Sequence, residues 1–368
     1  MAKPLAFAPI PAGLPATVPF IGPETLQRQR GRPFAARLGA NENGFGPSPK
    51  AVQAMREAAA EIWQYGDSTS HDLLQALAAH LSVPPAHIVV GEGIDGLLGL
   101  LVRLLIAPGD AVVTSDGAYP TFNYHVVGFG GALHRVPYRD DHEDLQALMV
   151  RARETGARLV YLSNPDNPMG SWHDGAAIEA MLDDLPDGAL LLLDEAYIEF
   201  APNSAIPRIA ADDPRVIRMR TFSKAYGMAG ARIGYAFGHP DLIAGFERIR
   251  NHFGVNRIAQ AGAWAALADH EWLAHIRQEV AAARDRIARI ASDNGMQPLP
   301  SATNFVTVDT GRDGAFSRNL VAWLEEEGIF IRMPGVPPLD RCIRISCAPS
   351  DELDILAEIL PRVLARHG

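Results

Sequence analysis

Hydrophobic positions along the chain follow two different spacings. In several segments the apolar residues recur every three to four positions, which predicts helices over 49–63, 71–81, 97–105, 121–127 and 176–185. Short apolar runs of strand length lie around these segments, at 88–90, 111–114, 133–137, 159–163, 189–193, 216–220 and 232–237. Because strands that alternate with helices form a largely parallel sheet covered on both faces, this pattern predicts an α/β fold.

The pattern changes after Asn256. Residues 257–292 are rich in alanine, carry regularly placed charges and contain no proline, which predicts one long helix. A strand over 304–308, a helix over 316–327, two short strands over 329–333 and 342–346, and a closing helix from Asp351 follow it. We therefore predict a large α/β domain over 41–256, then a connecting helix and a smaller C-terminal α+β domain over 257–368, with residues 1–40 forming an arm and part of the small domain.

The first twenty residues are apolar but are interrupted by Pro4, Pro9, Pro11, Pro15 and Pro19. Proline prevents a continuous helix, so this stretch is not expected to be a signal peptide and is expected to form an extended arm over the surface. No segment reaches the roughly 20 uninterrupted apolar residues that a membrane span needs. A cytoplasmic protein is the expectation.

The composition narrows the function classes. The 33 basic and 43 acidic side chains give a net charge of −10, and no basic cluster occurs, which argues against nucleic acid or an anionic membrane as the main partner. The two cysteines, Cys342 and Cys347, are too few for a disulfide framework or for a four-ligand zinc site. No metal site is predicted.

A glycine-rich loop, Gly91-Glu92-Gly93-Ile94-Asp95-Gly96, follows a predicted strand and opens a predicted helix. Asp116 ends the next strand, 20 residues after Gly96, as in a dinucleotide-binding fingerprint. A nicotinamide-dependent oxidoreductase is therefore one alternative, although such loops usually lie near the start of their domain. The narrower inference is that this helix N-terminus binds a phosphate group.

A lysine motif follows the strand at 216–220 and reads TFSKAYGMAGARIG over residues 221–234. Lys224 lies among Thr221, Ser223 and Arg232, whose two hydroxyls and guanidinium are the donors that a phosphate monoester prefers. Two other apolar strands also end in polar groups, because Asp194-Glu195-Ala196-Tyr197 ends one and the rigid NPDNPMG turn presents Asn167 after another. The carboxyl ends of such strands form the ligand crevice of α/β sheets.

Together these segments resemble the class I/II pyridoxal-phosphate-dependent aminotransferases of fold type I. The histidinol-phosphate aminotransferase branch is the nearest likeness, through NENGFGPSP, DEAYIEF, FSKAYGMAGARIGY and CIRIS, and the resemblance covers about residues 38–365. It implies a mostly parallel central sheet between helices, pyridoxal 5′-phosphate as cofactor, and a homodimer with shared active sites. The implied reaction moves an amino group between a donor, with L-histidinol phosphate as the best candidate, and 2-oxoglutarate.

The resemblance also implies roles for individual residues. Lys224 is expected to bond the cofactor aldehyde and then to move the proton between the substrate Cα and the cofactor C4′. Asp194 is expected to pair with the pyridinium nitrogen. The other expected cofactor contacts are Tyr197 and Asn167 at the 3-oxygen, Phe122 on the ring face, and Gly93, Ile94, Asp95, Thr221, Ser223, Arg232 and the partner's Tyr65 at the phosphate. Arg344, Arg332 and Asn43 are expected to bind the substrate, Arg344 at its α-carboxylate.

Several positions depart from this branch and leave the amino donor open. Gly96 stands where an acid is usual, the segment around Tyr65 reads QYGDS, and Arg257 replaces a small hydroxyl residue. Arg257 either reads an anionic side chain or has a surface or helix-start role. The alternatives are an aminotransferase for aromatic or other amino acids, a decarboxylase resembling threonine-phosphate decarboxylase, and a non-catalytic sensor domain, although no spare basic segment for DNA binding is present.

Overall fold

The computed structural model describes residues 5–16 and 21–367, so the predicted arm at 1–4 and 17–20 lies outside the described residues. The helices are α1 Pro9–Ala12, α2 Pro23–Arg30, α3 Pro49–Ala59, α4 His71–Leu81, α5 Gly93–Leu105, α6 Pro120–Gly128, α7 Leu145–Thr155, α8 Gly175–Met181, α9 Pro240–Phe246, α10 Arg257–Leu267, α11 His270–Asp293, α12 Gly314–Glu327 and α13 Ser350–His367. The strands are β1 Ala36–Arg37, β2 Ile88–Gly91, β3 Ala111–Ser115, β4 Ala132–Val136, β5 Leu159–Ser163, β6 Leu190–Asp194, β7 Val216–Thr221, β8 Gly234–Gly238, β9 Gln297–Pro298, β10 Phe305–Asp309, β11 Ile329–Phe330 and β12 Cys342–Ser346.

A seven-stranded sheet forms the larger part of the molecule, in the order β2-β8-β7-β6-β5-β3-β4. Only β8 within this sheet runs antiparallel to its neighbours. Helices cover both faces, and β5 and β6 are buried along their whole length because every residue from Leu159 to Leu162 and from Leu190 to Leu193 is apolar. The predicted α/β fold with a mostly parallel sheet is confirmed.

A smaller unit packs against one end of this sheet. Its three strands are antiparallel in the order β12-β10-β9, and α11, α12 and α13 cover them. The N-terminal segment joins this unit, because β1 pairs in parallel with β11. The apolar side chains of the small unit are continuous with those beneath the large sheet, in one buried cluster that contains Phe222, Tyr235, Val280 and Ile345.

The predicted long helix over 257–292 is wrong as a single element. The chain forms α10 and α11 with a break at Ala268 and Asp269. Asp269 is buried, and its carboxylate accepts hydrogen bonds from the Ser48 hydroxyl and, at 2.9 Å, from the Lys50 amine. Since this contact lies about 220 residues away in sequence, local periodicity could not reveal it.

The arm is also less extended than predicted. α1 lies within the proline-rich stretch, and its first residue is Pro9, a position where the missing N–H has no helical partner to lose. Ile10 lies against Gly130 of the large unit, whereas α2 leads to β1 and the small unit. The N-terminal segment therefore contacts both units.

The parallel strands β5, β6 and β7 end at the same edge of the large sheet. Asn164, Asp194 and Thr221 occupy these ends, so the three motifs found in the sequence meet there. Directly behind this edge, the fully buried Glu195 accepts hydrogen bonds from Arg218 at 2.6 Å and Arg220 at 2.8 Å. These ion pairs connect β7, which carries both arginines, to Glu195, the first residue after β6.

Across 5–16 and 21–367, no helix combines the length and apolar character of a membrane span. Within the same ranges, no group of three or more His, Cys, Asp or Glu side chains could hold a metal ion.

Candidate active site

A cavity of about 570 Å³ opens at the carboxyl edge of the sheet, between the large and small units. This volume lies within the range of small-molecule and cofactor sites. Eleven of the residues predicted from the sequence line it: Ile94, Asp95, Asn167, Asp194, Tyr197, Thr221, Ser223, Lys224, Arg232, Arg332 and Arg344. The chain therefore brings together, in one cavity, side chains that are separated by 250 positions in the sequence.

Lys224 presents the amine of this cavity. Its Nζ donates a hydrogen bond of 2.9 Å to the backbone carbonyl of Asn41 and lies 5.6 Å from the centre of the Tyr197 ring. Burial, followed by the positive charge of Arg344, lowers the pKa of Lys224 to about 8. A lysine with this pKa has a much larger neutral fraction near pH 7 than a free lysine, so it is suited to act as a nucleophile and as a base.

Asp194 presents a buried carboxylate at the end of β6. Its Oδ2 accepts a hydrogen bond of 2.8 Å from the Tyr161 hydroxyl, and its Oδ1 accepts one of 3.0 Å from the Ala196 backbone. Burial raises the pKa of Asp194 to about 6. A carboxylate in this environment gains from a cationic partner, because such a partner offsets the loss of water around its charge.

A set of phosphate-type donors lies at the N-terminus of α5. The first turn of this helix carries the backbone N–H groups of Ile94 and Asp95, and Arg232 lies beside it with one guanidinium N–H 3.4 Å from the Ser223 hydroxyl. Gly93 has a φ of +77°, and a Cβ at this position would come within 2.6 Å of the Arg232 Nη2 atom. Only glycine therefore allows the guanidinium to approach the start of the helix this closely.

The NPDNPMG turn and β12 meet in a pair of polar side chains. Arg344 donates a hydrogen bond to the Asn167 side-chain oxygen, while its Nε atom is buried without a hydrogen-bond partner. Burial lowers the pKa of Arg344 to about 10, so the guanidinium still carries its charge at neutral pH. An unpaired N–H on a buried cation is a ready donor for a carboxylate.

Arg332 also lines the cavity. One of its N–H groups donates a hydrogen bond of 2.8 Å to the backbone carbonyl of Ile21, just before α2. Burial lowers the pKa of Arg332. The backbones of Arg332 and Arg344 also form an antiparallel bridge, so the two guanidinium groups come from adjacent positions of the small unit.

Phe122 does not line the cavity, contrary to the stacking role expected for it. It is fully buried behind Tyr161, with the two rings stacked 4.5 Å apart. Tyr119, three positions before Phe122, lines the cavity instead, as does Tyr161. The Tyr119-Pro120 step in the sequence could have indicated this, because Pro120 starts α6 and the residue before it lies outside the helix, at the edge of the cavity.

Asn43 and Tyr65 also lie away from the cavity of their own chain. The Asn43 amide donates hydrogen bonds of 3.1 and 3.2 Å to the backbone carbonyls of Lys224 and Ala225, so it holds the lysine loop rather than lining the cavity. Tyr65 is 78% exposed and packs on the Phe253 ring at 4.7 Å. Arg257 begins α10 and donates 3.0 Å to the Tyr65 backbone carbonyl.

A buried acidic pair behind the cavity was not found in the sequence. Glu143 accepts hydrogen bonds from the Ser115 hydroxyl and the Ser163 backbone, and Asp166 accepts one of 2.8 Å from the Tyr138 hydroxyl. Burial raises the pKa of Asp166 to about 7, and burial together with Asp166 raises that of Glu143. The pair supports the turn that presents Asn167, and no local pattern in the sequence marked Glu143.

Comparison with known proteins agrees with this geometry. The family described as "Aminotransferase class I and II" matches residues 36–360. The chain is 34% identical to the histidinol-phosphate aminotransferase of Moorella thermoacetica over 93% of this chain and 89% of that protein. It is 35% identical to the same enzyme of an Anaeromyxobacter species over 96% and 97% of the two chains. The crystal structure of histidinol-phosphate aminotransferase from Sinorhizobium meliloti in complex with pyridoxal-5′-phosphate is 55% identical, with a TM-score of 0.96 and 98% of each chain covered.

Proposed function

The chain belongs to the class I and II aminotransferases, and from this we propose that it binds pyridoxal 5′-phosphate and moves an amino group from L-histidinol phosphate to 2-oxoglutarate. One observation carries the proposal. A buried lysine with a lowered pKa shares its cavity with a buried carboxylate, a set of phosphate donors and the guanidinium groups of Arg332 and Arg344. The names of the similar enzymes supply the substrate class. Family membership also removes the nicotinamide alternative for the glycine loop.

The residues present fit this cofactor. The start of α5, Ser223 and Arg232 offer N–H and O–H donors for a phosphate dianion. Asp194 offers a negative charge to a protonated ring nitrogen, and Tyr119 offers an aromatic face. When bound, pyridoxal 5′-phosphate supplies an aldehyde that bonds an amine and a protonated ring that withdraws electrons from the substrate Cα.

Lys224 carries the proton chemistry in this proposal. With the cofactor bound, the Lys224 Nζ would bond its aldehyde until the substrate amine takes its place, and the freed Nζ would then remove the Cα proton and deliver it to C4′. Burial and Arg344 keep a fraction of Lys224 neutral near pH 7, and only the neutral amine has the lone pair that accepts a proton. Asp194 would keep the proton on the ring nitrogen, and Tyr197 and Asn167 would bind the 3-oxygen.

Two guanidinium groups select anionic substrates. Arg344 has a buried, unpaired N–H for the α-carboxylate of glutamate or 2-oxoglutarate. Arg332 also lines the cavity and would supply a second positive charge for a phosphate. Residues 41–256 would then supply the cofactor contacts, and residues 257–368 the substrate guanidinium groups. A cytoplasmic location stays a prediction from the sequence.

The spectrum of the purified protein tests the cofactor and the donor together. We expect a visible absorption band that shifts to the ultraviolet on addition of histidinol phosphate, and a smaller or slower shift with phenylalanine or aspartate. Glutamate should also shift the band, because it is the reverse donor for 2-oxoglutarate. Release of carbon dioxide without any 2-oxo acid would instead identify a decarboxylase, and a protein that gains no band with pyridoxal 5′-phosphate would contradict the proposal.

We further propose that the protein acts as a homodimer with shared active sites. An exposed apolar patch supports this, because Trp63, Tyr65 and Trp264 are 78%, 78% and 54% exposed and Phe253 is 53% exposed. Large exposed aromatic groups of this kind are typical of protein interfaces. Tyr65 is expected to reach the cofactor phosphate of the partner subunit from this patch.

Subunit mixing tests the shared site. Lys224→Ala and Tyr65→Ala are each expected to lower activity, and their mixed dimer contains one site with both native residues. Statistical mixing in equal amounts should therefore restore about a quarter of the native activity. The same variants mixed after chemical cross-linking of each dimer provide the control, and their activity should not recover. A lack of recovery when mixed dimers are detected by mass spectrometry would contradict the shared site.

A further inference from the structure

Asn41 is a buried residue at the meeting point of the cavity, the lysine loop and the small unit. It is only 3% exposed, it lines the cavity, and its φ is +53°, a conformation that non-glycine residues seldom adopt. No feature of the sequence distinguishes it from Asn43 in the same motif. A strained, buried polar residue in a functional cavity calls for a specific role.

The backbone carbonyl of Asn41 is the hydrogen-bond acceptor for the amine of Lys224, at 2.9 Å. The Asn304 side-chain amide donates to the same oxygen at 3.1 Å, so both lone pairs of this carbonyl are used. A neutral amine that donates one N–H in a fixed direction also has its lone pair in a limited set of directions. The carbonyl of Asn41 therefore orients the base whenever Nζ is free.

The side-chain amide of Asn41 makes a second functional contact. Its Nδ2 donates 3.1 Å to the Tyr197 hydroxyl oxygen. A phenol has a single hydrogen, and since its oxygen already accepts from Asn41, that hydrogen remains free to donate into the cavity. Burial raises the pKa of Tyr197, which keeps the hydroxyl protonated and able to donate.

The small unit holds Asn41 in this conformation. The Asn41 backbone N–H donates 2.9 Å to the Ser346 hydroxyl, which donates back to the Asn41 side-chain oxygen at 3.2 Å. All four polar atoms of Asn41 are therefore paired. Ser346 lies on β12 two residues after Arg344, so one strand carries both the substrate guanidinium and the support of Asn41.

We propose that Asn41 is a positioning residue that orients the free amine of Lys224 through its carbonyl and directs the hydroxyl hydrogen of Tyr197 to the cofactor 3-oxygen through its amide. This inference rests on the proposed function, because it assigns the donor that the 3-oxygen receives. It adds to that function a residue that acts on the proton-transfer step without contact to the substrate.

Asn41→Gly isolates the amide contact, because glycine keeps the carbonyl and adopts a positive φ without strain. A hydrogen bond to the 3-oxygen stabilises its anion, so its loss should raise the pH midpoint of the visible band by about 0.5–1 unit. In single turnover with glutamate we expect a rate about 10-fold lower, with a larger isotope effect for Cα-deuterated glutamate. The dissociation constant of pyridoxal 5′-phosphate should change less than about threefold, since the phosphate donors are intact.

Ser82→Gly is the matched control, because Ser82 also has a positive φ, of 57°, but is exposed at the end of α4. It should leave the midpoint and the rate unchanged. If Asn41→Gly does not fold, Ser346→Ala removes the support of Asn41 and should shift the midpoint in the same direction. If Asn41→Gly has the same midpoint and rate as the unmodified protein, the inference is overturned. The proposed function is then still supported by the visible band and turnover of the unmodified protein. A native protein without a band would overturn both.

Discussion

Replacement of Lys224 by alanine is expected to lower the rate of amino transfer by at least about 10⁴-fold, because the variant loses both the amine that bonds the cofactor and the base that moves the Cα proton. The protein should remain folded. Lys224 makes one hydrogen bond through its side chain, to the Asn41 carbonyl, and that carbonyl keeps its second donor from Asn304. Melting temperature and single-turnover rate, measured side by side, separate the two effects.

The small number of lysines makes this test unusually clean. The chain contains only Lys3, Lys50 and Lys224. Borohydride treatment of the loaded native protein should attach the cofactor permanently to the peptide that contains Lys224, which mass spectrometry detects. Lys50→Ala is the matched control, because Lys50 is mostly exposed, pairs with Asp269 and does not line the cavity, and it should keep native activity. Turnover by Lys224→Ala, or modification of Lys50, would contradict the role.

Rescue by small amines adds a test of mechanism. If the loss in Lys224→Ala reflects the missing base, methylamine or ethylamine should restore part of the rate, in proportion to the concentration of the neutral amine. The native rate should rise with pH through about 8, the pKa of Lys224, because the neutral lysine increases over that range. The rescued rate should instead follow the higher pKa of the added amine.

The sequence predicted the cofactor end of the site because that end is encoded locally. Asp194 ends β6, Asn167 and Lys224 lie within four residues of the ends of β5 and β7, and parallel strands bring their carboxyl ends to one edge. The hydroxyl and arginine spacing of the lysine motif marked the phosphate donors in the same way. These residues line the cavity together.

The substrate end and the supporting residues depend on contacts between distant segments. Asn41 acts through its backbone carbonyl, which any residue possesses, so its identity could not reveal the contact with Lys224. Phe122 and Tyr119 are three positions apart at the start of α6, and only the packing of that helix decides which ring lines the cavity. The break between α10 and α11 likewise follows from the contact of Asp269 with Ser48.

Asp194→Asn is expected to lower the rate of amino transfer by about 10³-fold. Asparagine has the same shape and keeps an acceptor for the Ala196 N–H, but it carries no negative charge to hold a proton on the ring nitrogen. Without that proton the ring accepts electrons from Cα poorly, so the loss falls on the proton-transfer step. The dissociation constant of the cofactor should rise as well, while Asp354→Asn, at an exposed surface pair with Arg286, should match the native protein.

The stability of the cofactor-free variant distinguishes this role from a structural one. Burial raises the pKa of Asp194 from its ordinary value of 3.8 to about 6, so the ionised form destabilises the folded protein without a cationic partner. This destabilisation is absent below about pH 4, where Asp194 is protonated in both states, and complete above about pH 6. Cofactor-free Asp194→Asn should therefore melt at or above the native temperature at pH 7, and the difference should shrink toward pH 4. A variant that melts well below the native protein at pH 7 would identify Asp194 as a structural residue, and its lost activity would then follow from unfolding.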